Sequence, residues 1–180
     1  ALLFGGVISY NSLAPFLFVN ELGMSPDIYG MTMLFTMAGY ASGSYTTGRL
    51  IGRMRPRPII LIALAIAFAG ALGLAVLSDM LSAVHVLAPM VAYMFGFGLC
   101  VPPSMSSALE PFPRVAGSAS ALMGFSQMAS AGIASLVVLP LYDGTAAPLG
   151  LATLSLSVLA ASVFLVLVPA ALWLPARSEG

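Results

Sequence analysis

The chain has 180 residues, of which 60% are apolar and 7% are charged, and its formal net charge is zero. Soluble domains carry about 25% charged residues, so this composition, with a mean hydropathy of +1.05, excludes an ordinary water-soluble fold. The six basic residues are all Arg and are too few to neutralise a run of phosphates, which excludes nucleic acid as a partner. We predict no metal site and no cofactor.

The charged residues divide the chain into six charge-free segments of 20 to 33 residues. A helix needs about 20 apolar residues to cross the hydrocarbon layer of a membrane. The sequence therefore predicts an all-α integral membrane protein, a bundle of six transmembrane helices that forms one domain over residues 1–180. The predicted spans are about 1–20, 27–48, 57–78, 83–108, 115–142 and 147–174.

The positions of the charges predict an orientation. Every Arg lies in the link between predicted helices 2 and 3, in the link between helices 4 and 5, or after helix 6, and these places share one end of a six-span zigzag. Cytoplasmic loops retain Arg, so both chain ends are predicted to be cytoplasmic, in the inner membrane. The links at the outer end contain no Arg and hold Glu21, Asp27, Asp79, His85 and Asp143.

Short polar motifs mark the predicted helix ends. Ser25-Pro26-Asp27 is typical of a helix start, since Ser caps the first turn and Pro loses no hydrogen bond there. Pro56 is expected to open the third helix in the same way. Asp143-Gly144 predicts a turn after the fifth.

The distribution of polar side chains predicts which helices line a cavity. Helix 3 has no polar side chain and helix 6 has only small hydroxyls, so both are expected to be peripheral. Helices 1, 2, 4 and 5 carry polar and aromatic groups near mid-depth, which favours a wall suited to lipophilic, uncharged or weakly charged molecules. Core packing and hydrogen bonds between helices are the alternatives. The predicted substrate-binding residues are Tyr10, Asn11, Phe16, Thr36, Tyr40, Tyr93, Phe97, Met123 and Gln127.

Small residues and prolines suggest seams and a hinge. Gly39-x3-Gly43 and Gly117-x3-Ala121 are typical of close helix packing. Helix 4 combines a glycine pair with a proline pair, which predicts either a hinge or a static kink. The hinge candidates are Gly96, Gly98, Pro102 and Pro103.

Six motifs follow one another from end to end of the chain. They are Tyr10-x3-Ala14-Pro15-Phe16, Gly23-Met24-Ser25-Pro26, Gly48-Arg49-Leu50, Pro102, Ala116-Gly117-Ser118-Ala119-Ser120-Ala121-Leu122 and Asp143-Gly144-Thr145-Ala146. In this order and at these spacings they resemble the carboxyl-terminal half of drug:proton antiporters of the bicyclomycin-resistance (Bcr/CflA) branch of the major facilitator superfamily.

The resemblance implies a twelve-helix carrier of two six-helix halves, which exports drugs or other small lipophilic molecules by alternating access in exchange for protons. The chain would be the second half, and its partners would be lipid, the small-molecule substrate, protons and an amino-terminal half that is absent from it. No span has an Asp, Glu, Lys, Arg or His at mid-depth, so the proton carrier is expected in that other half.

The link after helix 2 resembles the cytoplasmic signature of this superfamily, although Gly48 stands where an Asp is expected. Glu110 and Arg114 are expected to help close the cytoplasmic mouth by ion pairs, with solvated surface charges as the alternative. The predicted gate and signature residues are Arg49, Arg53, Arg55, Arg57, Glu110 and Arg114.

Two other functions remain as alternatives. A six-helix carrier subunit that dimerises would also fit six spans. An intramembrane serine protease would need a Ser nucleophile in a Gly-x-Ser-Gly turn with a His at the same depth. The Ser42 motif has the wrong spacing and His85 lies at the outer end of helix 4, so we predict that the protein is not an enzyme.

Overall fold

The computed structural model describes residues 1–78 and 82–168, and within these ranges there are six long α-helices. Five helical segments are long and apolar enough to cross a membrane, and α2 is not among them because it is rich in Gly, Ser and Thr. Asp79, Arg177 and the end of the sixth predicted span lie outside the described residues. The helices are α1 (Leu2–Pro15), α2 (Pro26–Leu50), α3 (Pro56–Val76), α4 (Ala83–Leu109), α5 (Ala116–Val138) and α6 (Ala147–Leu167).

The predicted helix boundaries have the expected local causes. Ser25 caps α2, since its Oγ accepts a hydrogen bond from Ile28 N at 3.4 Å, and Pro26 and Pro56 occupy the first turns of α2 and α3. Gly144 has φ +85°, a left-handed conformation that glycine adopts without strain. These observations confirm the predicted cap and the predicted turn after α5.

The first helix does not end at its proline. Pro15 has no N–H to donate, and beyond it the chain continues as a π-helix over Phe16–Glu21, in which Leu22 N donates to Leu17 O at 3.0 Å. The wider turns carry α1 to the end of the bundle where the acidic links lie.

The helices pack as two units with the same internal arrangement. In one unit α4 lies between α2 and α3, and in the other α1 lies between α5 and α6, while α3 and α6 join the two. Exchanging α1 with α4, α2 with α5 and α3 with α6 leaves this set of contacts unchanged. The bundle is therefore an internal repeat of three helices and three helices, related by inversion because successive helices alternate in direction.

Glycines interlock the α2–α4–α3 unit. A methyl group added at Gly39 would lie 2.8 Å from Val91 O, and one at Gly43 would overlap the carbonyl oxygen of Phe95. The predicted Gly39-x3-Gly43 seam is therefore confirmed. On the other side of α4, a methyl group at Gly70 of α3 would lie 2.6 Å from Tyr93 N, so backbone meets backbone on both faces of α4.

The residues of the predicted hinge are part of this interlocked packing. Gly96 lies against α3, where an added methyl group would be 2.6 Å from Ala67 N, and Gly98 lies against the carbonyl of Tyr40 on α2. The helix is continuous through Pro102 and Pro103. Close packing thus explains both glycines in this structure, and a hinge at these residues stays a prediction.

A side chain of α2 replaces the backbone hydrogen bond that a proline removes from α4. Pro103 has no N–H, so the carbonyl of Leu99, four residues earlier, loses its helical donor. Thr47 of α2 is fully buried, and its Oγ1 donates to that carbonyl at 2.8 Å. A neighbouring hydroxyl in this position is how a membrane helix tolerates an internal proline.

The α5–α1–α6 unit is packed more loosely. Gly5 of α1 does approach α5, where an added methyl group would lie 2.9 Å from Ser130 Oγ. By contrast, Gly117, Gly124 and Gly132 of α5 have open space beside them among the described residues. The predicted Gly117-x3-Ala121 seam is therefore not formed here, because no described helix lies against that face of α5.

Candidate functional site

A cavity of about 410 Å³ opens at the end of the bundle that carries the arginine link. Its wall includes three of the predicted substrate-binding residues, Phe97 of α4 and Met123 and Gln127 of α5. The start of α1 and residues of α3 and α6 complete it. The structure thus brings part of the predicted wall together, in a cavity that extends from mid-depth at Phe97 and Gln127 to the arginine end of the bundle.

An aromatic cluster lies beside the cavity. The ring of Phe97 is 5.6 Å from that of Tyr40 and 6.0 Å from that of Phe4, both in tilted arrangements favoured by aromatic pairs. The three rings belong to α1, α2 and α4, and they link the central helices of the two units. Phe97 therefore lines the cavity while its contacts with the other two rings support it.

The cavity is apolar, and among the described residues no charged side chain lines it. Its polar groups are the Gln127 amide, the Ser104 hydroxyl and the Cys100 thiol, of which the last two lie 3.4 Å apart. Met105 and Met123 add flexible thioethers. Such a wall can surround a lipophilic molecule and offer it a few neutral hydrogen bonds.

Three predicted wall residues are instead buried in contacts within the bundle. The Tyr93 side chain is 1% exposed, and its hydroxyl donates to Leu3 O at 2.9 Å. Thr36 is fully buried on the packed face of α2 and donates to Met33 O at 2.8 Å. Tyr10 is fully buried as well, and its hydroxyl has no hydrogen-bond partner among the described residues. Helix packing, the alternative that the sequence left open, describes their position here.

The remaining two predicted residues lie away from the cavity. Asn11 is partly buried on α1. Phe16 is 43% exposed in the π-helical turn, where its ring lies 5.9 Å from the ring of Tyr142, at the opposite end of the bundle from the arginine link. The nine predicted residues therefore do not form one site in this structure.

Sequence reasoning missed several cavity residues. Cys100 and Ser104 follow Phe97 by three and seven residues, and this helical spacing would have predicted a shared face. Ile60 and Leu64 of α3 and Phe164 of α6 also line the cavity. Both helices were expected to be peripheral because helix 3 has no polar side chain and helix 6 has only small hydroxyls, but an apolar cavity needs no polar groups from them.

The arginine link is exposed and mostly turns. The guanidinium of Arg49 lies 4.6 Å from the ring centroid of Tyr45 and donates to its hydroxyl, so an aromatic side chain one turn earlier in α2 contacts this cation. Glu110 and Arg114 are both exposed, and no ion pair joins them in the part of the chain that the structure describes. The expected closing contact is absent from this state.

Comparison with known proteins gives consistent matches. A family model described as Major Facilitator Superfamily matches residues 1–135. The uncharacterized MFS-type transporter YdgK of Bacillus subtilis is 32% identical over 152 residues, which cover 81% of this chain and 36% of the relative. The multidrug resistance protein MdtL of Shewanella sp. is 27% identical over 168 residues, 91% of this chain and 41% of the relative.

A bicyclomycin resistance protein homolog of Haemophilus influenzae is 26% identical over 147 residues, 81% of this chain and 37% of that protein. The chain thus spans about two fifths of the length of the curated relatives that it matches.

Proposed function

Because the chain belongs to the major facilitator superfamily, we propose that it is part of a secondary transporter that exports drugs or other small lipophilic molecules in exchange for protons. The protein is a multi-pass membrane protein of a transporter family and not an enzyme. The substrate class and the coupling belong to the proposal, and so do a location in the inner membrane and cytoplasmic chain ends.

The observation that carries the proposal is the chemistry of the cavity at Phe97. An uncharged wall of aromatic, thioether and aliphatic groups suits a lipophilic molecule, whereas a sugar phosphate or an amino acid would need a fixed ionic partner. The names of two relatives, a multidrug resistance protein and a bicyclomycin resistance protein homolog, support the same class of substrate.

We further propose that an amino-terminal six-helix half completes the carrier and that the two halves open alternately to each side. The length of the relatives supports this, since the chain matches about two fifths of each. In such a carrier the residues that line the cavity at Phe97 would form one wall of the transport route, at the end of the bundle that carries the arginine link.

The proton carrier is proposed to lie in the rest of the protein. The acidic groups of the described residues, Glu21, Asp27, Glu110 and Asp143, lie at or beyond helix ends and not at mid-depth. A carboxylate that couples transport to protons must be exposed to both sides in turn. Proton coupling should therefore survive substitution of both Glu110 and Asp143 by amides, and its complete loss in a folded variant would contradict this part of the proposal.

The transport role of the cavity is tested by Phe97→Ala in the complete protein. Loss of one aromatic contact of about 0.5–1.5 kcal/mol corresponds to a rise of roughly twofold to tenfold in the apparent KM for a lipophilic dye. The measurement is dye efflux from cells or uptake into inverted vesicles, at matched protein levels. Phe68→Ala is the control, because Phe68 is a partly exposed ring of α3 outside the cavity lining.

Equal effects of the Phe97 and Phe68 substitutions would show that the cavity does not contact the substrate. No efflux of any lipophilic compound by the folded wild-type protein would overturn the proposed function itself.

A further inference from the structure

A second, larger groove lies between α5 and α6. Its volume is about 870 Å³, and apart from the first two residues of the chain it shares no lining residue with the cavity at Phe97. Its α5 side runs from Ser126 to Val138, which at 1.5 Å per residue is roughly 18 Å, and Leu141 and Asp143 extend the lining beyond the end of the helix. The groove thus follows the helices along more than half of a hydrocarbon layer about 30 Å thick.

The side chains that line the groove are suited to an aliphatic ligand. Ile133, Val137 and Leu151 line it and are each more than half exposed. Two of its hydroxyls are already satisfied by their own helices, since Ser126 donates to Leu122 O at 2.8 Å and Ser155 to Leu151 O at 2.7 Å. An occupant therefore needs few hydrogen-bonding groups along its length.

One end of the groove is negatively charged. Asp143 lines it there, and its Oδ1 accepts hydrogen bonds from Thr145 N at 3.1 Å and Thr145 Oγ1 at 2.6 Å. These bonds lower the pKa of Asp143 below its ordinary value, so the carboxylate stays ionised at neutral pH.

No cation of the described residues balances this charge. The Glu21 carboxylate is also close, because a methyl group added at Gly144 would lie 3.5 Å from Glu21 Oε1. Every described Arg belongs to the opposite end of the bundle. An occupant with a positive group at this end and an aliphatic tail would complement both the charge and the walls of the groove.

We propose that the α5–α6 groove binds one membrane phospholipid whose headgroup carries an ammonium group, with the ammonium at Asp143 and an acyl chain between the two helices. Its apolar lining is more than half exposed at Ile133, Val137 and Leu151, so an acyl chain of the surrounding bilayer can enter the groove. An anionic headgroup at the same place would meet the Asp143 carboxylate, with the Glu21 carboxylate near the adjacent Gly144 and no cation among the described residues. The site is separate from the cavity at Phe97, and its occupation does not require transport.

The test measures which lipid the complete protein retains. The protein in detergent is mixed with phosphatidylethanolamine and phosphatidylglycerol that have the same acyl chains. Native mass spectrometry then identifies the lipid that stays bound after the detergent is removed. We expect at least a threefold preference for the ethanolamine lipid, at a stoichiometry of one. Asp143→Asn should remove the preference. Asp27→Asn should preserve it, because Asp27 is an acidic residue of the same end that does not line the groove.

A second pair of variants tests whether the acyl chain of the lipid lies in the groove. Ala152→Phe fills the groove and should reduce retention of both lipids, whereas Ala65→Phe adds the same volume on the exposed side of α3 and should change nothing. Equal retention of the two lipids by the wild type, or equal effects of the Asp143 and Asp27 variants, would overturn the proposal. Displacement of the retained lipid by a lipophilic cation that the protein exports would assign the groove to substrate instead. Because the readout is binding, these results are independent of whether the proposed export occurs.

Discussion

The two three-helix units have the same arrangement, but they are held together differently. In the α2–α4–α3 unit, Gly43, Gly70 and Gly96 each leave room for no side chain, because backbone of the neighbouring helix occupies that space. In the α5–α1–α6 unit, glycines such as Gly117 and Gly124 face open space among the described residues. Both cavities involve α5 and α6, while α2 lines neither of them.

This difference follows from what drives helices together in lipid. Apolar side chains gain little by leaving lipid for another helix, so association depends on close packing and on hydrogen bonds. The unit with backbone-to-backbone contacts therefore becomes a compact block. The α5–α1–α6 unit, in which only Gly5 of the described glycines closely approaches another helix of the same unit, keeps grooves where ligands or lipids can bind.

The largest expected effect is that of Gly43→Ala. The new methyl group would overlap the Phe95 carbonyl, which cannot move without displacing α4, and we expect a loss of stability of about 2–3 kcal/mol. The measurement is the thermal unfolding midpoint of the complete protein in detergent. Gly124→Ala tests the other unit and should be neutral or stabilising by up to about 1 kcal/mol, since alanine favours helix and the site is open. Equal losses in the two variants would remove the contrast between the units.

We expect an intermediate loss of stability when a hydrogen bond between two helices is removed. The pairs compared are α2–α4 and α5–α1, which correspond to each other in the two units. Thr47→Val leaves the buried Leu99 carbonyl without a donor and should cost about 1–2 kcal/mol. Ser12→Ala in the other unit removes a longer, partly buried contact to Ser135 at 3.2 Å and should cost less than about 0.6 kcal/mol.

The Thr47 effect depends on the proline that frees the carbonyl. In a Pro103→Ala background the helix regains its own donor, so Thr47→Val should cost clearly less there. An unchanged cost would show that Thr47 stabilises the pair by packing alone, and a double-mutant cycle on unfolding midpoints distinguishes the two.

The smallest expected effect on stability is a gain and not a loss. Tyr10→Phe removes a buried hydroxyl that has no partner among the described residues, and should leave stability unchanged or raise it by up to about 1 kcal/mol. Tyr93→Phe on the equivalent helix removes a real bond to Leu3 O and should cost about 1 kcal/mol. A loss in Tyr10→Phe as large as that in Tyr93→Phe would show that Tyr10 finds a partner in the complete protein.

Much of the fold could be predicted from local sequence signals. The Ser25 cap, the turn at Gly144 and the Gly39-x3-Gly43 seam each depend on a few adjacent residues, and the structure has all three. The resemblance to the major facilitator superfamily is likewise confirmed by the match over residues 1–135.

The site was less predictable because it depends on which face of each helix meets a neighbour. Tyr93 and Phe97 are one turn apart on α4, yet Tyr93 is bonded to α1 in the core and Phe97 lines a cavity. Amino-acid composition does not show which of two aromatic residues in the same helix lines a cavity and which is buried in the core. Gly96 and Gly98 show the same limit, since a glycine suggests flexibility in a sequence and can provide close contact in a structure.

The exchange that relates the two units has a consequence for how the chain enters a membrane. It matches the link between α2 and α3 with the link between α5 and α6, and the first carries four Arg within nine residues while the second carries Asp143. Positive loops tend to stay on the side where synthesis occurs. We therefore expect the different charges of these corresponding links to favour opposite orientations, during insertion, of two units that share one shape.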